Sequence, residues 1–361
     1  MAIFSQLNKI RFTSIGIIGI IGVCLCLSML LGSSLPDRET ISPIDNTLTI
    51  YTNMDEGPFN TYLSLFTSKH PDVEVNAVRR STGEITALLL AERDDPQADV
   101  VWGLSVTIQN LLEWNDVLKP YAPAGLSRVS PSFRDTSYPP YWVGIGAFMS
   151  ALCVNTELLT SLNLPVPDSW ASLVDPIYMD QVAMPSPVTS STAYLIIEGL
   201  LEIDGEIKGW EYLDALHKNI RIYTRGSSAS CGMVEAGEIA IGISNDQVAV
   251  GAQLGGTSVT AVFPAEGSGW DMEANSLVKK DVIAPIALTF LDWAISDEAM
   301  QAYAKDRAIL SVHLENFQPL PGFPPEPIKQ LIDKDFPWAS ANRDRIISQW
   351  LNHYGEKAEG Q

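Results

Sequence analysis

Positive charge is scarce in this sequence of 361 residues, which has 23 lysines and arginines against 43 aspartates and glutamates. The formal net charge is therefore −20. A chain this acidic is repelled by nucleic-acid phosphates, and no basic stripe offsets that repulsion. The charge balance thus argues against a nucleic-acid partner. It leaves the charge of a small ligand open, because local groups set the properties of a binding site.

The common catalytic and cofactor motifs are also missing. The sequence has no G-x-S-x-G elbow, P-loop, H-E-x-x-H or G-x-G-x-x-G, and its four histidines lack metal-ligand spacing. One S-x-x-K match, at Ser276 and Lys279, stands without its companion motifs in a run that favours a strand. Together these absences favour a binding protein without enzymatic activity, cofactor or metal.

Cysteine is scarce as well, with four residues in the whole chain. Cys24 and Cys26 lie in an apolar N-terminal segment, so only Cys153 and Cys231 belong to the remainder. One pair is too few for a scaffold built on disulfides. In an exported chain, this pair is compatible with either a disulfide or two buried thiols.

The N-terminus has the features of a secretory signal. Lys9 and Arg11 precede a stretch without charge that runs to Pro36 and contains small residues near its end. Such a pattern is typical of a signal peptide. Because the apolar run approaches the roughly 20 residues that cross a bilayer, an uncleaved anchor is the alternative. We expect a periplasmic or extracellular protein, with residues 1–34 as signal or anchor and residues 35–46 as a linker.

Strand-like and helix-like segments alternate from residue 47 onward. Strand patterns occur at residues 48–51, 73–78, 99–102, 182–184, 239–243 and 259–263. Helical periodicity occurs at residues 84–93, 191–202 and 283–294, and near the C-terminus. This alternation predicts an α/β fold with a mainly parallel sheet.

The strongest local signal is a run of hydroxyl residues between a predicted strand and a predicted helix. Ser190, Ser191 and Thr192 stand at the start of that helix. A hydroxyl at this point can simply cap the helix. Three in succession exceed what one cap requires, and free N–H groups with the positive end of the helix dipole favour an anion. Both interpretations remain open from the residues alone.

Further candidates follow other predicted strands. In an open α/β sheet, ligands bind beyond the carboxyl ends of the strands, where such turns meet. The candidates are Thr52, Asn53, Trp102, Gly103, Tyr223, Asp246, Trp270 and Asp271. An aromatic wall with a carboxylate, as in the predicted loop Gly269–Glu273, suits an ammonium group.

Eight short segments give the chain a family resemblance between residues 47 and 355. They are 98–104 (Ala-Asp-Val-Val-Trp-Gly-Leu), 141–144 (Tyr-Trp-Val-Gly), 151–156, 167–170 (Pro-Asp-Ser-Trp), 184–187 (Met-Pro-Ser-Pro), 216–220, 223–224 and 263–271. Through them the sequence resembles the type II periplasmic solute-binding proteins, in particular the 2-aminoethylphosphonate-binding proteins of ABC importers. The chain departs from this family at Thr189–Thr192, where relatives tend to carry Ser-Ser-Gly-Thr.

The resemblance implies two α/β lobes joined by two crossing strands, with a ligand cleft between them. It places lobe one at residues 47–150 and 270–355 and lobe two at residues 151–269, with crossings near 151–155 and 263–270. It also implies a monomeric, non-enzymatic component of an ABC importer, which delivers its ligand to a membrane permease. Ligand capture would close the cleft, because the ligand binds the closed form better.

The resemblance further implies the ligand and a disulfide. The ligand would be zwitterionic 2-aminoethylphosphonate, with its phosphonate at Ser190–Thr192. Its amine would lie at an acid near Trp102, Asp246 or Trp270-Asp271. Because the family carries cysteine at both places, a bond between Cys153 and Cys231 is expected.

Other functions remain as alternatives. The same fold binds iron(III), a polyamine, thiamine or an inorganic oxyanion in other proteins. For iron, the resemblance implies an adjacent pair of tyrosines as ligands, and this chain has no Tyr-Tyr pair. An alternative of another class is a membrane-anchored sensory domain.

Overall fold

The computed structural model describes residues 46–359. The predicted signal or anchor at residues 1–34 lies outside the described residues, as does the predicted linker apart from Asn46. No helix within the described range is both long enough and apolar enough to span a membrane.

Residues 46–359 form eleven strands and twelve α-helices, joined by loops and short 3-10 turns. The strands are β1 (Thr47–Thr52), β2 (Glu74–Arg79), β3 (Val100–Ser105), β4 (Leu118–Lys119), β5 (Val143–Asn155), β6 (Val182–Pro185), β7 (Ile220–Thr224), β8 (Ile241–Asn245), β9 (Val259–Val262), β10 (Trp270–Val278) and β11 (Ile309–Leu310). The helices are α1 (Glu56–Lys69), α2 (Thr82–Ala91), α3 (Val106–Trp114), α4 (Thr156–Ser161), α5 (Ser191–Asp204), α6 (Glu206–Asn219), α7 (Ser227–Glu235), α8 (Asp246–Leu254), α9 (Pro285–Ala294), α10 (Asp297–Tyr303), α11 (Pro327–Gln330) and α12 (Phe336–Tyr354).

These strands form a sheet that is parallel at its two ends and antiparallel in its middle. The order is β2-β1-β3-β10-β5-β8-β6-β7, with β4, β9 and β11 paired beside this path. Strands β1, β2 and β3 pair in parallel, and so do β6, β7 and β8. In the middle, β10 is antiparallel to both β3 and β5, and β5 is antiparallel to β8. The predicted mainly parallel sheet therefore holds only at the ends, because β10 returns between two strands of the first half.

Strand β5 divides the sheet into two lobes. Its residues from Val143 to Met149 pair with β10, whereas those from Ser150 to Asn155 pair with β8 and β9. We call β1–β4, β10 and β11 with their helices lobe one, and β6–β9 with theirs lobe two. The chain returns beside the same point, where the Ser150 amide donates to the Gly269 carbonyl at 2.8 Å. The residue limits predicted for the lobes stay a prediction.

Helix α12 contacts both lobes. It falls in the range predicted for lobe one, and Asn110 Nδ2 of α3 donates to Ser340 Oγ of α12 at 3.2 Å. Ala339, Ile346 and Trp350 of α12 nevertheless belong to the core of lobe two. The ring of Trp350 lies edge-on to that of Tyr223, with the ring centroids 4.7 Å apart. Apolar periodicity indicates that a helix has a buried face, but it does not indicate which lobe covers that face.

A disulfide adds a covalent tie within lobe two. Cys153 in β5 is bonded to Cys231 in α7, with a Cα–Cα distance of 5.5 Å. Both residues are fully buried. The bond that the family resemblance implied is therefore present, and it links the crossing strand to a helix that starts at the cleft described next.

Candidate ligand-binding site

A cleft of about 760 Å³ lies between the lobes. Helices α1, α2, α5, α7 and α8 each contribute residues from their cap or first turn to its walls. Helix starts carry free backbone N–H groups and the positive end of the helix dipole. The convergence of several helix starts therefore makes the cleft attractive to an anion.

Five of the residues predicted to bind ligand line this cleft. They are Asn53, Gly103, Ser190, Ser191 and Thr192. The Ser190 hydroxyl accepts a hydrogen bond from the Ala193 amide at 3.4 Å and so caps α5. The capping interpretation thus accounts for one of the three hydroxyls, and it leaves the other two to be explained.

Hydrogen bonds connect these polar groups across the cleft. Asn53 Nδ2 donates to Thr82 Oγ1 at 2.9 Å, and Thr82 Oγ1 donates to Ser191 Oγ at 3.4 Å. Lobe one is thereby joined to lobe two through hydroxyls. Asn245 Nδ2 donates at 3.3 Å to two further hydroxyl oxygens, those of Thr192 and Ser227. The starts of α2, α5, α7 and α8 therefore meet in one set of polar side chains.

Six other predicted residues are absent from the cleft lining: Thr52, Trp102, Tyr223, Asp246, Trp270 and Asp271. Trp102 is fully buried in the aromatic core of lobe one, where its carbonyl accepts from Thr52 Oγ1 at 2.7 Å. Tyr223 lies within β7 and its hydroxyl is 3.0 Å from His217 Nδ1. Trp270 is the first residue of β10, so the predicted loop at Gly269–Glu273 is largely a strand.

The two acids expected near the ligand's amine are buried within the protein. Asp271 accepts from the Val106 amide at 3.0 Å and from Thr107 Oγ1 at 2.6 Å, which places it on the start of α3. Asp246 accepts from the Met149 amide at 3.2 Å, and burial raises the pKa of Asp246 to about 7. Each carboxylate thus accepts hydrogen bonds from the protein itself, while Asp246 Oδ2 has no hydrogen-bond partner among the described residues. A sequence pattern does not separate that role from ligand binding.

Four arginines that were not predicted as ligand contacts line the cleft: Arg79, Arg80, Arg225 and Arg307. Arg79 and Arg225 stand 3.7 Å and 3.6 Å from carboxylate oxygens on neighbouring helices. Arg80 has no acid within ion-pair distance among the residues that the structure describes. Their position in the sequence could have indicated that Arg79 and Arg80 approach the cleft. They directly follow the second strand pattern, just as Asn53 follows the first.

An ion cluster of lobe one also lines the cleft. Arg307 holds Glu273 Oε2 at 2.5 Å through Nη2 and Asp306 Oδ1 at 2.6 Å through Nη1. Burial alone would lower the pKa of Arg307, but the two acids raise it well above its ordinary value. Within residues 46–359, no group of histidine, cysteine and acidic side chains is arranged to hold a metal ion.

The lobes touch along one edge of the cleft. Ser228 Oγ of lobe two donates to Asp55 Oδ2 of lobe one at 2.5 Å. The backbones also approach each other at Gly83, where an added Cβ would lie 2.1 Å from the Val188 carbonyl oxygen. Glycine at this position therefore lets the backbones of the two lobes meet.

Several curated proteins are similar in sequence to this chain. An uncharacterized protein of Haemophilus influenzae is 27% identical over 311 residues, which are 84% of this chain and 89% of that protein. The phosphoglycerate transport regulatory protein PgtC of Salmonella typhimurium is 28% identical over 174 residues, which are 48% of this chain and 42% of PgtC.

The fold has counterparts among solved structures. The periplasmic binding protein AfuA from Actinobacillus pleuropneumoniae, solved with exogenous fructose-6-phosphate bound, is similar with a TM-score of 0.78 and 26% identity over 86% of this chain and 98% of AfuA. This likeness confirms the predicted type II periplasmic-binding-protein fold. Residues 61–319, which are most of the sequence, match the family of bacterial extracellular solute-binding proteins. The chain therefore belongs to the bacterial extracellular solute-binding proteins.

Proposed function

We propose that this protein captures a small organic phosphonate or phosphate ester for an ABC importer, and that 2-aminoethylphosphonate is its first candidate ligand. The convergence of the α2, α5, α7 and α8 starts with Arg79, Arg80 and Arg225 on one cleft carries this proposal. Hydroxyls, free N–H groups and guanidinium groups are the donors that phosphonate and phosphate oxygens accept. The family consists of extracellular binding proteins rather than enzymes, which supports a periplasmic place of action.

A sugar phosphate is a second candidate ligand. AfuA, which shares this fold at 26% identity, was solved with fructose-6-phosphate bound. The cleft volume of about 760 Å³ is also larger than a two-carbon phosphonate fills, and it lies within the usual range for ligand sites of about 300–1,000 Å³. Both candidates share the anionic phosphorus group that the cleft walls suit.

Calorimetric titration with 2-aminoethylphosphonate, fructose-6-phosphate, inorganic phosphate and ferric citrate tests the proposal. We expect heat of binding with at least one of the two organic ligands. At about 100 times the dissociation constant, that ligand should add about 2.7 kcal/mol of stability, seen as a rise of a few degrees in melting temperature. Heat and a melting shift with ferric citrate, and neither with the organic ligands, would contradict the proposal.

Replacing Arg80 with alanine should weaken binding of the preferred ligand about 10- to 100-fold. A hydrogen bond to a charged group contributes about 1.5–3 kcal/mol. Arg80 is available for such a bond, because no acid of the described residues forms an ion pair with it. The same titration measures the change. Arg93→Ala is the matched control, because Arg93 is an exposed arginine 3.5 Å from Asp94 and does not line the cleft. Equal affinities in the two variants would show that Arg80 does not bind the ligand.

Replacing Gly83 with alanine should weaken ligand binding at least about tenfold, because the new methyl group would meet the Val188 carbonyl and keep the lobes apart. Stability without ligand should not fall, since alanine favours the helix in which Gly83 lies. Gly57→Ala is the control, because Gly57 is likewise the second residue of a helix and has open space around it. Calorimetric titration of both variants measures their ligand affinities. Unchanged affinity in Gly83→Ala would show that ligand binding does not require the lobes to approach so closely.

A further inference from the structure

One wall of the cleft carries polar atoms that the protein leaves without partners. Ser105 lines the cleft and is almost fully buried, and its Oγ makes no hydrogen bond with any described residue. Gln247 also lines the cleft. Its Nε2 forms no hydrogen bond of normal geometry among these residues, but its side chain is close enough to Glu273 to lower the pKa of that acid. Buried polar groups are nearly always paired in folded proteins, so such groups at a cleft indicate that a ligand or water completes them.

Glu273 supplies an acid to the same wall. In the pairing of β3 with β10, Glu273 stands opposite Ser105. Both of its contacts with Arg307 go to Oε2, at 2.5 Å and 2.7 Å, so the guanidinium does not engage Oε1. Burial raises the pKa of Glu273, and Arg307 and the side chain of Gln247 oppose that rise. We refer to Ser105, Gln247 and Glu273 as the acidic wall.

The charges of the cleft are divided between two groups of residues. Arg79, Arg80 and Arg225 line it together with the helix starts. The ion cluster beside the acidic wall instead pairs two acids, Glu273 and Asp306, with the single cation Arg307. A ligand that is anionic at one end and donates hydrogen bonds at the other end matches both groups.

We propose that the acidic wall binds hydrogen-bond donors on the part of the solute remote from its phosphonate or phosphate group. The inference rests on the proposed function, since it needs the anionic group to occupy the arginine side of the cleft. The donors are either the ammonium group of an aminophosphonate or the hydroxyl groups of a sugar phosphate. A solute with an alkyl tail would leave the Ser105 hydroxyl unpaired and would offer the Glu273 carboxylate no donor in place of water in the closed cleft, which disfavours its binding.

Three ligands separate these sources. 2-Aminoethylphosphonate carries an ammonium group, fructose-6-phosphate carries hydroxyls, and propylphosphonate is nearly isosteric with the first but has only a methyl group. We expect at least one of the first two to bind the unaltered protein about tenfold or more tighter than propylphosphonate does. Whichever of these two ligands binds more tightly relative to propylphosphonate identifies whether the donors are an ammonium group or hydroxyls.

Variants of the acidic wall then test which residues produce the preference. In Glu273→Gln, the preference over propylphosphonate should fall to about threefold or less, while the affinity for propylphosphonate should be retained. Ser105→Ala leaves the Arg307 contacts in place and should lower the preference about threefold, so it serves if Glu273→Gln proves unstable. Glu298→Gln, which alters an acid of lobe one paired with Lys69, is the matched control.

The outcomes distinguish the two proposals. If no phosphorus-containing ligand binds the unaltered protein, both the proposed function and this inference are wrong. If the ligands bind but propylphosphonate binds as well as the others, or if both wall variants keep the full preference, the proposed function stands and the acidic wall is wrong.

Discussion

Replacing Lys334 with methionine should lower the free energy of unfolding by about 3–5 kcal/mol, because the change leaves two buried acids without their cation. The Lys334 ammonium contacts Glu198 Oε1 and lies 3.8 Å from Asp271 Oδ2, and all three side chains are at most 2% exposed. Glu198 lies in α5 and Asp271 in β10. The lysine therefore neutralises charge at a point where an element of lobe two meets the strand that returns to lobe one.

The defect should also depend on pH. Burial raises the pKa of Glu198, and Lys334 opposes that rise, so the pKa of Glu198 should climb further in Lys334→Met. A carboxyl whose pKa is raised by folding takes up a proton on folding, and the stability that this provides at low pH is lost as the pH rises through the folded-state pKa. The loss of stability should consequently be smaller at pH 5 than at pH 8.

Urea unfolding at both pH values measures these effects. Lys329→Met is the matched control, because Lys329 pairs with Glu326 on the surface and such pairs contribute about 0–1 kcal/mol. The double variant Lys334→Met/Glu198→Gln should recover part of the loss, since it removes one of the unpaired charges. A single variant within about 1 kcal/mol of the unaltered protein at both pH values would show that the buried acids find other partners.

Removing the Cys153–Cys231 disulfide should cost about 2–5 kcal/mol of unfolding free energy. The two cysteines are 78 residues apart, and closing so long a loop restricts the unfolded chain strongly. Cys153→Ala/Cys231→Ala should therefore unfold at lower urea concentration than the unaltered protein.

Reductant supplies the internal control for this prediction. Dithiothreitol should bring the unaltered protein close to the double variant, and it should leave the double variant itself unchanged. If dithiothreitol does not move the unfolding midpoint of the unaltered protein, even after denaturation in its presence, the disulfide does not stabilise the fold. Because Cys231 lies in α7, which starts at the cleft, ligand affinity should also be compared with and without dithiothreitol.

The sequence predicted where strands and helices form more accurately than it predicted which elements pair or pack together. Helical and strand periodicities located α5 and β1 to within a few residues, since these patterns reflect local geometry. The path of β10 was less accessible, because Trp270-Asp271 resembles a polar loop and becomes a strand only through pairing with β3 and β5. The packing of α12 against both lobes likewise depends on contacts between residues distant in sequence.

The candidate site shows the same division. The hydroxyl run at Ser190–Thr192 lies at a helix start and on the cleft, as its position after a strand predicted. Asp246 and Asp271 also follow or begin strands, but their side chains turn toward protein donors. Residue type and position thus indicated which segments approach the cleft, whereas the direction of each side chain was decided by packing.

The insertion of β10 between β3 and β5 also bears on the order in which the chain folds. All the strands that pair in lobe two lie between Ser150 and Val262, so its sheet is complete once that stretch has been made. The sheet of lobe one is completed later, because contacts such as the hydrogen bond from the Val106 amide to Asp271 join residues 165 positions apart. Until β10 arrives, β3 and the first part of β5 present open edges that invite mispairing. Pairings so distant in sequence form slowly, so the sheet of lobe one, although its strands begin first along the chain, is the sheet completed last.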